Sequence, residues 1–308
     1  MKAAAIRAGL IVIALILGAE LVARLSGIID FPLYHVDDEI GYIPQPSQAG
    51  KFLHEDSWAF NDHSMGTVTP WTPVPPGILL IGNSIVMGGN PYDQKQKLGP
   101  LLQQQMGDAY TVWPIAAGGW TNVNEMAYLK RNPEVALHPR FFVWEFMSGG
   151  LSGLSVWHGD LTWPRAHPTW ASWYLFRRYV WPRLYHGLPS ELPPVGAPNP
   201  AYLAQFKASV LALAQATSDG HSGLVFLYPN KSQYLSARRG EEWLPERSEI
   251  RNIAEKAGLD EIDIARQPEW NESLYRPDGV HPTVAGNQAL AHILAVAVKQ
   301  RIHSSYSQ

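Results

Sequence analysis

Apolar residues fill positions 8–23 (AGLIVIALILGAELVA) with Glu20 as the one charge, and past Arg24 the chain stays mostly apolar from Leu25 to Ile29. Counted to Ile29, the run reaches the roughly 20 residues a helix needs to cross a bilayer, with Glu20 and Arg24 spaced i,i+4 to pair or snorkel near its outer end. Lys2 and Arg7 precede it, an order shared by signal peptides and signal anchors. Cleavage wants small residues at two positions before the cut, whereas this run ends Leu-Val-Ala-Arg, so we favour an uncleaved anchor over 1–29. A buried core helix accommodates the lone Glu but not the N-terminal position. Lys2 and Arg7 hold that end inside and place Asp30 onward outside the cytoplasm. In a bacterium this is a single pass through the inner membrane, with the rest of the chain in the periplasm.

Periodicity is weak over 30–76, where Pro32, Pro44, Pro46, Gly50, Pro70, Pro73, Pro75 and Pro76 cluster. The segment reads as a stalk that wraps onto the C-terminal domain, with room for one short strand. From Gly77 short apolar runs alternate with segments of helical spacing. Strands are predicted over Gly77–Ile81, Tyr110–Ile115, Arg140–Phe146, Gly223–Tyr228 and Glu261–Ile264, and helices over Leu98–Met106, Asn122–Leu129, Ala201–Ala216, Arg247–Ala257 and Val284–Lys299. Such alternation predicts an α/β domain over 77–308, a parallel sheet covered on both faces. Residues 147–200 break the pattern with Trp157, Trp163, Trp170, Trp173 and Trp181, several Tyr and many Pro. They read as an insertion at the top of the sheet, where loops shape a site. No repeat is visible at periods of 20–50 residues.

Composition sharpens this picture. The 308 residues carry 24 Lys and Arg against 27 Asp and Glu, a formal charge of −3, so no general basic surface invites a nucleic acid. Charged residues are 17%, against a usual figure of about 25%; the anchor accounts for part, and 12 Trp, 13 Tyr and 9 Phe for more. With no Cys there is no disulfide scaffold, thiolate nucleophile or cysteine-ligated metal centre. A Walker lysine and a G-x-G-x-x-G are both missing after the first strand, which disfavours a nucleotide. His35, His54, His63, His138, His158, His167, His186 and His221 have no metal-ligand spacing. Neither metal nor cofactor is expected.

Ser84 follows the first buried strand directly, at the carboxyl end where α/β sheets form their sites. A serine there either caps a helix or acts as a nucleophile whose oxyanion is held by free backbone N–H groups. Far along the chain, Asp278-Gly279-Val280-His281-Pro282-Thr283 precedes the last helix. Asp278 can orient the Nδ1–H of His281 while Nε2 takes the serine proton. Alone, the same spacing is a turn closed by Asp278, with His281 and Thr283 capping the helix. The serine motif at the other end of the same α/β domain favours the catalytic reading of both.

Together these motifs resemble the SGNH (GDSL-type) hydrolase superfamily. Its first block, strand then G-D-S, is matched by Gly82-Asn83-Ser84, and its last, D-x-x-H-P, by Asp278–Pro282. The resemblance implies a three-layer flavodoxin-like fold with a Ser84–His281–Asp278 triad. It implies an oxyanion hole from the N–H of Ser84 and of a glycine in Ala116-Ala117-Gly118-Gly119-Trp120, Gly119 being the best match. The family's G-x-N-D block is absent, Met147-Ser148-Gly149-Gly150 standing in its place; Asn122 or Asn124 are the substitutes at hand. Two stretches are similar to SGNH-like O-acetyltransferase domains of the alginate type: Val143-Trp144-Glu145-Phe146, and Tyr228–Tyr234 with its P-x-K-x-x-Y pattern. By that likeness Glu145 is a substrate contact; otherwise it is a structural carboxylate. In some of those proteins the acid–histidine pair precedes the serine, whereas here it follows.

Trp170, Trp173, Tyr174, Arg177 and Trp181 recur at i, i+3, i+4, i+7 and i+11, one helical face. They form a lid packed on the core, a stacking platform for sugar rings, or an interfacial helix at the membrane surface. On the platform reading Trp120, Trp170, Trp173 and Arg177 contact substrate. The expectation is therefore a membrane-anchored serine enzyme that transfers or hydrolyses O-acyl groups, acetyl foremost, on a carbohydrate or exopolysaccharide. A transferase of this kind would draw its acyl group from a membrane partner, the donor itself being unspecified. The competing expectation is an SGNH-fold carbohydrate-binding or assembly subunit without turnover.

Overall fold

The computed structural model describes residues 2–73, 77–137, 139–184, 197–217 and 222–305. It opens with helix α1 (Lys2–Leu25) and two antiparallel hairpins, β1 (Tyr34–Asp37) with β2 (Gly41–Pro44) and β3 (Gln48–Phe52) with β4 (Asp56–Phe60). Strand–helix alternation follows: β5 (Gly77–Gly82), α2 (Ser84–Met87), α3 (Leu98–Met106), β6 (Thr111–Ala116), α4 (Asn122–Arg131), α5 (Pro133–Ala136) and β7 (Pro139–Phe146). The insertion carries α6 (Ala171–Leu175), a π-helical turn Phe176–Val180 and α7 (Trp181–Leu184). The chain ends with α8 (Pro200–Ala216), β8 (Gly223–Leu227), α9 (Lys231–Arg238), α10 (Arg247–Lys256), β9 (Asp260–Asp263) and α11 (Val284–Ser305).

Five strands form a parallel sheet in the order β6-β5-β7-β8-β9. β5 and β8 are buried along their whole length and β7 at every position except Arg140. They read as unbroken apolar runs for that reason, since helices cover both faces. α3 packs on α11, while α4 packs on α8, which also meets α10. The fold is thus α/β, three-layered and flavodoxin-like. The chain leaves β5 to one side for β6 and returns to its other side for β7. The crevice at that reversal, beyond the carboxyl ends of the strands, is where ligands bind in open α/β sheets.

Segment 30–76 differs from the expected stalk. Its four strands put Tyr42, Ile43, Trp58 and Phe60 into the same buried core as the parallel sheet. The strands are only 4–5 residues long and mix Gly, Pro and polar positions, so no period of two emerges. Side chains define the turns instead: Asp37 Oδ1 accepts the N–H groups of Glu39 and Ile40 at 2.9 and 2.8 Å. Residues 74–76, the expected boundary, lie outside the described residues, as do 185–196 of the insertion. A helix unforeseen in the sequence, α9, starts where Asn230 and Gln233 form a reciprocal capping box.

Ala3–Leu25 is long and apolar enough to cross a membrane. The helix stops at Leu25, short of the expected Ile29, because local groups end it: Ser26 Oγ donates to Ala23 O at 3.0 Å, and His54 Nε2–H reaches Leu25 O at 2.8 Å from the β3–β4 turn. Glu20 and Arg24 pair at 2.7 Å, as their spacing predicts.

Candidate active site

At the end of β5 the backbone of Gly82 lies against Glu145, where a Cβ would come within 2.2 Å of Glu145 Oε2; only glycine fits. Asn83 then caps α2, its Oδ1 accepting the Ile85 N–H at 3.1 Å while its own N–H donates to Glu145 Oε2 at 3.1 Å. Asn83, rather than Ser84, is therefore the capping residue. Ser84 is the first residue of the turn, and its hydroxyl is left for another partner.

That partner is His281, whose Nε2 lies 2.9 Å from Ser84 Oγ. Its Nδ1 lies 3.1 Å from Asp278 Oδ2, while Asp278 Oδ1 accepts the N–H groups of Val280 and His281 at 2.9 Å each. Asp278 both closes the turn and backs the imidazole, and Thr283 caps α11 by accepting the Gly286 N–H. Burial works to raise the Asp278 carboxyl, but those N–H groups and the imidazole together hold it below the usual carboxylate range. The Asp278 side chain is 44% exposed and His281 35%, so water screens their attraction; the contact fixes the ring's orientation more than it adds energy.

A cradle of hydroxyls holds this turn. Tyr228 donates to Val280 O at 2.9 Å, Tyr92 donates to Pro282 O, and the Lys231 N–H reaches Gly279 O at 2.7 Å. Tyr228–Tyr234 thus supports the histidine turn from behind. Tyr92 was not apparent from sequence, since nothing in its neighbourhood marks it as chemical.

The loop after β6 is pinned from several sides. Tyr42 and Trp163 donate to Gly118 O at 2.7 and 3.0 Å, and the Gly118 N–H meets Met87 Sδ at 3.0 Å. Gly119 sits at φ +78°, a conformation that favours glycine, and lines the same pocket as Ser84 and His281. Among the described residues neither the Ser84 N–H nor the Gly119 N–H has an acceptor. Both are available to an oxyanion.

Other expected site residues stand elsewhere. Asn122 is buried, its Nδ2 donating to Glu125 Oε2 at 2.7 Å and to Glu145 O at 2.8 Å, so its amide cannot serve an oxyanion. Asn124 is likewise committed, to Ile40 O and Ser155 O at 2.7 Å each. Trp120 is a core residue that donates to Tyr42 O at 2.7 Å rather than a substrate contact. Glu145 lies under the Asn83 turn, one oxygen bonded to Asn83 and Oε1 without a partner. Burial, with Glu125 beside it, pushes its carboxyl well above the usual range. Glu125 is pushed up to about 7 by burial, against hydrogen bonds from Trp144 and Asn122. Glu145 is a buried brace and does not reach the pocket.

Trp170, Trp173 and Arg177 are exposed and do not line the pocket. Of the face read from the sequence, Trp170, Trp173, Arg177 and Trp181 point outward, and a π-helical turn over Phe176–Val180 interrupts its period. Tyr174 and Arg178 turn inward instead, Arg178 donating to Tyr174 Oη at 2.6 Å and to Leu161 O. The pocket, about 650 Å³, runs from Ser84 and His281 to a wall of Tyr34, Trp163, Arg178 and Tyr179. Among the described residues no group of three or more His, Asp or Glu could hold a metal; His138, His186 and His221 lie outside them.

No protein-family model matches the chain, and no curated protein matches it. Similar solved structures include a carbohydrate acetylesterase family member from Sinorhizobium meliloti, at 15% identity over 74% of this chain and all of that one, TM-score 0.38. An aryl esterase from M. smegmatis matches at 17% identity over 74% of this chain and all of that one, TM-score 0.40. A family two carbohydrate esterase from Clostridium thermocellum, in complex with cellohexaose, matches at 12% identity, covering 77% of this chain and 67% of that one, TM-score 0.43. These superpositions are loose, and the fold rests on the sheet order itself.

Proposed function

We propose that the chain is an SGNH-type serine enzyme acting on O-acyl esters of a carbohydrate, carried at the periplasmic face of the inner membrane by an uncleaved α1. One observation carries the reading: Ser84 Oγ, His281 Nε2 and Asp278 Oδ2 lie in hydrogen-bonding sequence at the end of a 650 Å³ pocket. Ser84 Oγ adds to the ester carbonyl as His281 Nε2 takes its proton. The Ser84 and Gly119 N–H groups hold the oxyanion. Collapse breaks the ester C–O bond, His281 returns the proton to the departing hydroxyl, and the acyl group stays on Ser84. Water or an acceptor hydroxyl, deprotonated by His281, then releases it. The flat rings of Tyr34, Trp163 and Tyr179 suit a sugar. The anchor favours transfer to a surface polysaccharide, with the acyl group supplied by a membrane partner.

Retention of α1 is supported by its fit to the domain, because cleavage after Ala23 would discard Glu20, which accepts the Ala171 and Ser172 N–H groups. A fluorophosphonate probe on the full chain tests the enzyme reading. Ser84 is expected to be labelled, and Ser84→Ala to lose both label and ester turnover. Unchanged turnover in Ser84→Ala overturns it. The second reading, a carbohydrate-binding subunit without turnover, is favoured by the commitment of Asn122 and Asn124 elsewhere; an unlabelled Ser84 selects it.

A further inference from the structure

The outward face of the insertion helix is inverted in polarity. Trp170 and Trp173 are 54% and 53% exposed, and Val180, Trp181 and Leu184 continue the patch, while Tyr174 and Arg178 point in. Other exposed large apolar side chains of the folded part, such as Val68 and Leu137, stand apart from it in sequence. Arg177 and Arg183 interleave with the patch, and no acidic residue occurs between Asp160 and Glu191. Exposed large apolar side chains gathered in one short segment mark an interaction site.

The start of the same helix is fastened to α1. Glu20 accepts the N–H groups of Ala171 and Ser172 at 3.0 and 2.8 Å and the Ser172 hydroxyl at 2.9 Å. Arg24 donates to Thr169 O at 2.6 Å. At 1.5 Å per residue, Ala3 to Glu20 spans about 26 Å, against a hydrocarbon core of about 30 Å. Glu20 therefore lies within about 4 Å of the outer edge of the hydrocarbon, and Trp170 and Trp173, which flank the two residues it binds, share its level.

We infer that this aromatic face is seated in the headgroup region of the bilayer that α1 crosses. Trp and Tyr favour that layer, and Arg meets phosphate there. The inference rests on α1 being a membrane helix, not on the enzymatic reading. Continuity with α1 selects the lipid surface over a soluble sugar or a second copy of the chain.

The absence of Cys permits single-cysteine probes on the full chain in phosphatidylcholine–phosphatidylglycerol vesicles. An environment-sensitive fluorophore is placed at Trp173→Cys, and in a second variant at Trp170→Cys. Ile13→Cys reports the middle of α1, and Ser248→Cys a water-facing helix. The expected result is at least twofold stronger quenching of the Trp173 and Trp170 sites by shallow spin-labelled lipid than of the Ser248 site, with Ile13 quenched best by deep label. If Ile13 is deep and the two Trp sites behave like Ser248, the inference is overturned while the anchor stands. If Ile13 also faces water, both fall. Shielding of the Trp sites from lipid and aqueous quenchers alike means a protein occupant, which also overturns it.

Discussion

Ser84 and His281 are 197 positions apart and meet at 2.9 Å, so the fold itself assembles the candidate pair. Asp278 has two separable duties, and one substitution divides them. In Asp278→Asn the remaining oxygen can still accept the turn N–H groups. An amide NH₂ then faces Nδ1, forcing the proton onto Nε2, where it can no longer accept from Ser84. Ester turnover is expected to fall by about 10²-fold or more with the melting temperature nearly unchanged, whereas Asp278→Ala loses both. A parallel loss of stability in Asp278→Asn would reduce Asp278 to a turn former. A second prediction concerns the buried carboxyls Glu125 and Glu145. Both are raised above the unfolded value near 4.5, so the folded chain holds more protons than the unfolded one. Their contribution is complete below about pH 4.5 and is lost for Glu125 as pH rises through 7, by up to about 1.4 kcal/mol per pH unit per proton. Denaturant midpoints should fall across that window, and Glu125→Gln should flatten the decline. Ser84, Asp278 and His281 were legible because short motifs carry their chemistry. Asn122 and Trp120 were misread, and of the two readings of Glu145 the structural one stands, because a sequence does not say which way a polar group faces: each already holds a backbone partner.

Elements were legible in proportion to how completely they are buried. β5, β7 and β8 announce themselves as unbroken apolar runs, with ends within about two residues of expectation. The hairpins over 34–60 were not legible, since each strand is too short to show a period and is held by turn side chains and by Trp58 and Tyr42 in the shared core. The insertion helix was recognised as one face but not oriented, because apolar periodicity assigns a stripe and not the phase of its environment. Among the loops, the 275–283 turn depends on neighbours that hydropathy never reveals. Tyr228→Phe keeps the ring against Trp270 and Tyr275 and removes only the bond to Val280 O, a loss of about 1 kcal/mol. The expected outcome is a fall in kcat of about tenfold or less with KM unchanged, since His281 shifts while the pocket wall does not. A rise in KM alone would place Tyr228 in substrate binding instead.

At the scale of the molecule, α1, insertion and pocket form one continuous arrangement. Phe31 and Pro32, a few residues past the end of α1, line the pocket along with Arg178 and Tyr179, whose helix carries the outward tryptophans. Even fully extended, the chain from Leu25 to Phe31 spans about 20 Å, so the pocket rim is tied close to the point where α1 ends. If the aromatic face is seated in the bilayer, an ester carried by an amphiphile in the same membrane reaches Ser84 by lateral diffusion, without leaving the interface. A soluble ester gains nothing from that placement. Proteoliposomes should therefore show a kcat/KM for an acylated glycolipid at least tenfold above that for the same acyl sugar free in solution, a difference of about 1.4 kcal/mol in transition-state access. The Trp170→Ala/Trp173→Ala double variant should lose the preference and keep turnover of the soluble ester, because neither side chain touches the pocket. An equal preference in the double variant would mean that α1 alone sets the site's height, and that the tryptophans serve some other contact.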